Sequence, residues 1–200
     1  MAVEDSLFTV FLKEALPFCV ERVPVYQWHA SRRQGVVEAG WLANELLVHQ
    51  TIIWVKARAV LTRNHFMFQF EPCFYGWPVG KMPTKRRRPP CNMSNVWQVD
   101  QKGQSDGIHP TQKPVELFRR VMEWSTLPGE ICLEPFSGSG TQIMAAEELH
   151  RRCYAIEISP AFVDVAVVRW QNATKNEARL VDEKGQLGPT FAEVGKTRTK

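Results

Sequence analysis

The chain reads as an α/β fold, a doubly wound open sheet, and three observations predict it. Strand-like apolar runs alternate with helix-period stretches along the C-terminal half. A glycine-rich turn joins one of these strands to the next helix. The following strand closes on a carboxylate about 20 residues later, the spacing at which open α/β sheets hold a nucleoside. A chain of 200 residues fits one domain with room for a full core. Hydrophobic residues make up 44% and charged residues 23%, an ordinary globular composition. No run reaches the roughly 18 apolar residues of a membrane span. Met1-Ala2-Val3-Glu4-Asp5 is acidic and lacks a signal pattern, so a cytoplasmic address is expected.

Leu7, Phe8, Phe11, Leu12 and Ala15 recur at helical spacing and predict an amphipathic helix over residues 6–19. Val23-Pro24-Val25-Tyr26-Gln27-Trp28-His29 predicts a strand. Ser31 then caps a helix over residues 32–39, which Gly40 ends. Leu46-Leu47-Val48 and Thr51-Ile52-Ile53-Trp54-Val55 are β-branched and aromatic, as a buried strand is. A turn near Thr62-Arg63-Asn64 leads into Phe66-Met67-Phe68-Gln69-Phe70, which with Tyr75 and Trp77 predicts the antiparallel partner.

Residues 78–108 change character. Pro, Lys, Arg, Asn, Ser and Gly dominate, with Val96-Trp97 as the apolar anchor. A loop of about 30 residues is long enough to suggest function. Beyond it the spacing predicts a helix over 114–126 with proline in its first turn, a strand over 131–133 and a helix over 141–149. A strand over 153–156 and a helix over 160–172 follow, so that strand and helix alternate as parallel βαβ units. Residues 173–200 are expected to be a loosely held polar tail with a short helix over 190–194.

Cys19, Cys73, Cys91, Cys132 and Cys153 form no C-x-x-C pair and are odd in number. Neither a zinc site nor a complete disulfide framework is expected, and no metal. The net charge of +4 is too small to prove a nucleic-acid partner. Its distribution says more: Lys85-Arg86-Arg87-Arg88 gathers four cations beside Pro89-Pro90. Such a run is either a solvated face or a loop that holds phosphates.

In Leu133-Glu134-Pro135-Phe136-Ser137-Gly138-Ser139-Gly140-Thr141, Gly138 and Gly140 supply backbone without Cβ, which a ligand can approach closely. The helix after the turn offers free N–H groups to the crevice. The next strand ends in Glu157, placed to meet ribose hydroxyls. The spacing also suits an NAD enzyme, although Ile143 stands where a third glycine would be. Physical reasoning alone leaves that choice open.

These residues resemble a known family. Glu134-Pro135-Phe136-Ser137-Gly138-Ser139-Gly140-Thr141 is similar to the D/E-P-F-x-G-x-G-T motif of DNA amino-methyltransferases. His109-Pro110-Thr111-Gln112-Lys113-Pro114 resembles the H-P-T-x-K-P segment that precedes it in the permuted, beta-type members. Tyr26-Gln27-Trp28-His29-Ala30, Ile53-Trp54-Val55-Lys56 and Glu71-Pro72-Cys73-Phe74-Tyr75-Gly76-Trp77 match further family stretches. The resemblance implies a Rossmann-like methyltransferase domain over residues 1–172. Its parts would be catalytic-side strands and helices (1–77), a target-recognition-like insertion (78–108) and a cofactor-binding part (109–172). It implies transfer of a methyl group from S-adenosylmethionine to adenine N6 or cytosine N4 in double-stranded DNA.

The resemblance also assigns residues. Glu134, Phe136, Ser137, Gly138, Ser139, Gly140 and Thr141 would hold the methionine part of the cofactor. Glu157 would meet its ribose, with Ile158 beside the adenine. His109, Thr111 and Lys113 would close over the methionine carboxylate, for which a hydroxyl donor and a cation suit. Lys85, Arg86, Arg87 and Arg88 would meet DNA phosphates rather than bases.

The family's D/N/S-P-P-Y/F/W loop, which holds the amino group of the extruded base, is not found. Arg88-Pro89-Pro90-Cys91 has neither the flanking amide or carboxylate nor the aromatic. His29, at a strand end, is a weak catalytic candidate. In permuted members that loop precedes the first helix seen here, so the sheet is expected to be incomplete at its N-terminal strands. A missing segment or a second subunit would then complete the site.

Overall fold

The computed structural model describes residues 6–60, 65–99 and 112–198. The first part of the chain builds α1 (Leu7–Ala15), β1 (Val25–Trp28), α2 (Gln34–Ala43), β2 (Leu46–Val60), β3 (Phe68–Pro78) and β4 (Val96–Gln98). The second builds α3 (Val115–Ser125), β5 (Ile131–Glu134), α4 (Thr141–Glu148), β6 (Arg152–Ala155) and α5 (Pro160–Thr174). A terminal unit follows: β7 (Arg179–Val181), β8 (Leu187–Thr190) and α6 (Phe191–Arg198).

β3 is the spine of a mixed sheet ordered β1-β3-β2-β4. It pairs antiparallel with β1 on one side and with β2 on the other. Six consecutive residues of β3, 72–77, are buried, because both faces of this inner strand are covered. Alternation then sorts the side chains. Phe74 joins Leu12, Val37, Trp41 and Leu46 beneath α1 and α2. Cys73, Tyr75 and Trp77 join the larger core with Trp54, Trp97, Leu117, Phe118 and Ala145. Burying each of the leucines, valines and phenylalanines among them contributes roughly 1.5–3 kcal/mol. Two of the buried tryptophan N–H groups here are matched: Trp54 Nε1 donates to the Val99 carbonyl at 3.1 Å and Trp41 Nε1 to Gln27 Oε1.

β5, α4 and β6 form the expected βαβ unit, with β5 and β6 parallel. Cys132 and Cys153 point to the core, while Ile131, Leu133 and Tyr154 on the alternate positions are exposed. Among the described residues β5 pairs with β6 alone and β1 with β3 alone, so each presents a free edge. Tyr26 spans from β1 to the end of α3, its hydroxyl 2.9 Å from Ser125 Oγ.

Four expectations need correction. α2 does not stop at Gly40 but runs to Ala43. A Cβ at Gly40 would lie 2.7 Å from the Phe8 carbonyl oxygen, so this glycine serves the close crossing of α1 and α2. The helix ends where the Asn44 amide donates to the carbonyls of Gly40 (2.8 Å) and Thr9 (3.0 Å) and Glu45 turns left-handed. Ser31 makes no side-chain cap; it opens a short 3-10 turn, Ser31–Arg33, ahead of α2. The loop of residues 78–108 contains β4, which extends the sheet parallel to β2 through Trp97. The described part of the tail holds more than the expected short helix: β7 and β8 pair as a hairpin, and Thr190 and Glu193 cap α6 reciprocally. The turn expected near Thr62-Arg63-Asn64 lies outside the described residues. No helix among the described residues is long and apolar enough to cross a membrane.

Candidate functional site

The glycine turn leaves the carboxyl end of β5 and is held by its own backbone. Ser137 N donates to the Ile156 carbonyl at 2.9 Å and Gly140 N to Ser137 O at 3.0 Å. Gly138 and Gly140 both sit at positive φ, 54° and 75°. A Cβ at Gly138 would meet nothing within 4 Å, so the backbone there faces open space. A Cβ at Gly140 would lie 2.7 Å from the Ala166 Cβ of α5. The second glycine therefore also lets the start of α4 pack on α5. Ser137 is 6% exposed, and its hydroxyl has no protein partner among the described residues. No side chain caps the start of α4.

Two carboxylates frame the turn. Glu157 Oε2 accepts from Gly138 N at 2.7 Å and its Oε1 from Ser159 N at 2.8 Å. Each oxygen keeps a second lone pair for another donor. Glu134 accepts from Phe136 N and from the Gln142 amide, both at 2.8 Å. Burial pushes the Glu134 carboxyl up, and those two donors with the Lys113 charge offset only part of the rise. Ser139 turns away from the opening: its carbonyl and hydroxyl accept from Arg169 of α5, which also approaches Thr141. Phe136 is half exposed and meets Phe11 of α1 edge-on, with centroids 4.9 Å apart. Ile158 is 97% exposed beyond Glu157. Behind the turn lies a cavity of about 250 Å³ lined by Ser137, Gly138, Ile143, Glu157, Val163 and Trp170 among others.

Of the segment expected to close over this turn, His109 and Thr111 lie outside the described residues. Lys113, partly exposed, pairs with Glu71 of β3 at 3.0 Å, and Glu71 also binds Lys56 of β2 at 2.6 Å. Burial pushes the Glu71 carboxyl up, but Lys113 and Lys56 outweigh it and hold the group below its usual range.

The basic run divides. Lys85–Arg87 is one 3-10 turn in which Lys85 and Arg86 are exposed. Arg87 folds back onto Glu130 with both arms, one of them at 2.6 Å. Arg88 is half-buried, with Nη1 2.9 Å from Met82 Sδ. Lys85 and Arg86 are thus the members of the run that face outward.

His29 follows β1, 6% exposed, with its ring 4.5 Å from that of Phe74 and Nδ1 3.2 Å from the Ala30 carbonyl. Burial lowers its pKa and the Ala30 contact offsets part of this, which favours the neutral ring. Nε2, and Nε1 of neighbouring Trp28, are buried without a partner among the described residues. No group of three His, Cys, Asp or Glu suited to a metal occurs among the described residues.

Sequence reasoning missed Gln142, Arg169, Glu71 and Lys56. Gln142 directly follows the glycine motif and had a local signal. Arg169 reaches back 30 residues to Ser139, and Lys56, Glu71 and Lys113 come from three separate elements, so no spacing announces them.

Comparison with known proteins bears on this arrangement. The model of the DNA methylase family N6_N4_Mtase matches residues 42–168. The chain is 34% identical over 145 residues to the type II methyltransferase M.XycI of Xanthomonas campestris pv. cyanopsidis, covering 64% of this chain and 46% of that protein. It is 32% identical over 154 residues to M.Cfr9I of Citrobacter freundii, covering 72% and 49%. The chain thus spans about half the length of these curated relatives or less. Among solved structures, a complex of M1.HpyAVI with S-adenosylmethionine superposes with a TM-score of 0.69 at 23% identity, covering 81% of each chain. The cytosine-N4-specific PvuII DNA methyltransferase gives 0.60 at 14%, covering 70% of this chain and 57% of that one. These structures share the Rossmann-like α/β fold described above. With the family match spanning well over half of its residues, the chain belongs to the DNA methylases of the N6/N4 amino-methyltransferase family.

Proposed function

We propose that the chain binds S-adenosylmethionine at the glycine turn and serves methyl transfer to an exocyclic amino group, adenine N6 or cytosine N4, in double-stranded DNA. The observation that carries this reading is the open backbone at Gly138, bracketed by the Glu157 carboxylate and the hydroxyl of buried Ser137, which has no partner among the described residues. A nucleoside with an amino-acid tail fits such a cradle. Glu157 offers its remaining lone pairs to ribose hydroxyls, and Ser137 and Gly138 line the approach to the tail. Exposed Ile158 would cover one face of the adenine. Lys113 and Glu134 offer opposite charges to the carboxylate and ammonium of the tail. Bound there, the cofactor supplies an electrophilic methyl group; the chain's residues orient it and exclude water. Exposed Lys85 and Arg86 supply phosphate contacts, which position DNA without reading its sequence.

A second reading is favoured by the absence of D/N/S-P-P-Y/F/W from the 200 residues. On this reading the chain holds cofactor and DNA but turns over only with a complementing segment or subunit. The free edges of β1 and β5 are where an added strand would pair. Labelled methyl transfer to mixed-sequence duplex DNA, followed by digestion to nucleosides, tests both. Label on N6-methyladenine or N4-methylcytosine supports the first reading. Cofactor binding with background transfer, restored by a complementing segment, supports the second.

A further inference from the structure

The cofactor reading leaves Lys56 without a task, yet its position is specific. Its ammonium lies 2.6 Å from Glu71 Oε1 and 5.4 Å from the centre of the Trp54 ring, with the side chain 14% exposed. Glu71 Oε2 in turn lies 3.0 Å from the Lys113 ammonium. Charges thus alternate from β2 through β3 to the segment before α3. Glu134, on whose carboxyl the Lys113 charge acts, follows at the end of β5. The row of ion pairs ends on the Lys113 ammonium, a cation suited to the carboxylate of an amino-acid tail.

We propose that Lys56 is a positioning residue that keeps Lys113 available to the carboxylate of the cofactor's amino-acid tail. The proposal rests on the cofactor reading above and deepens it. A carboxylate facing a single lysine turns both oxygens to it and competes with any incoming anion. Lys56 occupies one oxygen of Glu71, so the ion pair with Glu71 takes one of the three donors of Lys113 and leaves two outside that pair. Glu71 anchors Lys113, and Lys56 limits how much of its charge Glu71 consumes. Lys56 acts through Glu71 and needs no contact with the ligand.

The test compares two ligands by calorimetry on the 200-residue chain. S-adenosylhomocysteine has the amino-acid tail; methylthioadenosine has the same nucleoside and thioether without it. Lys56→Met is expected to weaken S-adenosylhomocysteine roughly threefold to tenfold, below the ten- to hundredfold of losing a direct charged hydrogen bond. Methylthioadenosine affinity is expected to stay the same, which also shows that the variant is folded. Lys56→Arg should restore the tail's contribution. The double variant Lys56→Met with Glu71→Gln should restore it in part, because the competing carboxylate is gone. Equal loss for both ligands, loss for neither, or failure of the double variant to recover overturns the proposal. Should the unaltered chain bind neither ligand, the cofactor reading falls and takes this one with it.

Discussion

The same substitution, made two residues apart in the glycine turn, should have opposite consequences. Alanine at either Gly138 or Gly140 forces a Cβ into the left-handed region, a cost of roughly 1–2 kcal/mol. At Gly138 that is the whole structural cost, since the new methyl meets no atom within 4 Å. At Gly140 the methyl lies 2.7 Å from the Ala166 Cβ and 3.3 Å from Ile143 Cδ1, so α4 and α5 must part. Overpacking of this kind adds roughly 1–3 kcal/mol. For a chain of this size, Gly138→Ala should lower Tm by about 2–8 °C and Gly140→Ala by about 4–20 °C. Ligand binding should rank the other way. The methyl at Gly138 occupies the space assigned to cofactor, and a similar overlap penalty there gives roughly 5- to 150-fold weaker binding. Thermal melts and titration calorimetry with S-adenosylhomocysteine measure both quantities. Undiminished affinity in Gly138→Ala, or a Gly140→Ala variant as stable as Gly138→Ala, refutes the division of labour between the two glycines.

Further outcomes follow from the neighbouring groups. Glu157→Ala frees the N–H groups of Gly138 and Ser159, so it should lower stability modestly, by about 1–2 kcal/mol, and weaken cofactor by on the order of tenfold or more. An unchanged dissociation constant would remove Glu157 from the site. Glu134→Gln should raise Tm at neutral pH while weakening cofactor. A carboxyl whose pKa is raised on folding contributes stability below its unfolded value and loses it as pH rises through the folded one. The gain should therefore vanish in acid, and a gain independent of pH would contradict the assignment. Neutralising Lys85 and Arg86 should reduce the slope of log DNA affinity against log salt by about 0.9 for each phosphate that no longer meets a cation. Arg87→Ala should instead cost less than about 1 kcal/mol of stability through the partly exposed Glu130 pair, seen as a slight fall in Tm, and leave that slope alone.

What could be read from sequence was what spacing carries. The alternation of Ile131, Leu133 and Glu157 with helical stretches gave the βαβ unit, and Phe68 to Trp77 gave the antiparallel partner of β2. The glycine motif located the turn, because its residues are neighbours in the chain. What escaped was tertiary. Gly40 looks like a helix stop until α1 crosses it at the Phe8 carbonyl, and nothing near Gly140 in the sequence announces that α5 packs on it. Arg87 belongs to a basic run in sequence but to Glu130 in space. Lys113 reads in sequence as a cation free for an anion, whereas β3 brings Glu71 to it. The capping pair Thr190 and Glu193 was legible three residues apart, yet the hairpin before it lacked a clear alternating run.

The central claim is that the glycine turn takes S-adenosylmethionine and not a nicotinamide dinucleotide. Titration calorimetry of the 200-residue chain with S-adenosylhomocysteine and, separately, with NAD tests it most directly. Saturable binding of S-adenosylhomocysteine, abolished or strongly weakened in Gly138→Ala, with no heat from NAD, is the predicted result. Saturable binding of NAD, or S-adenosylhomocysteine binding indifferent to Gly138, would contradict it.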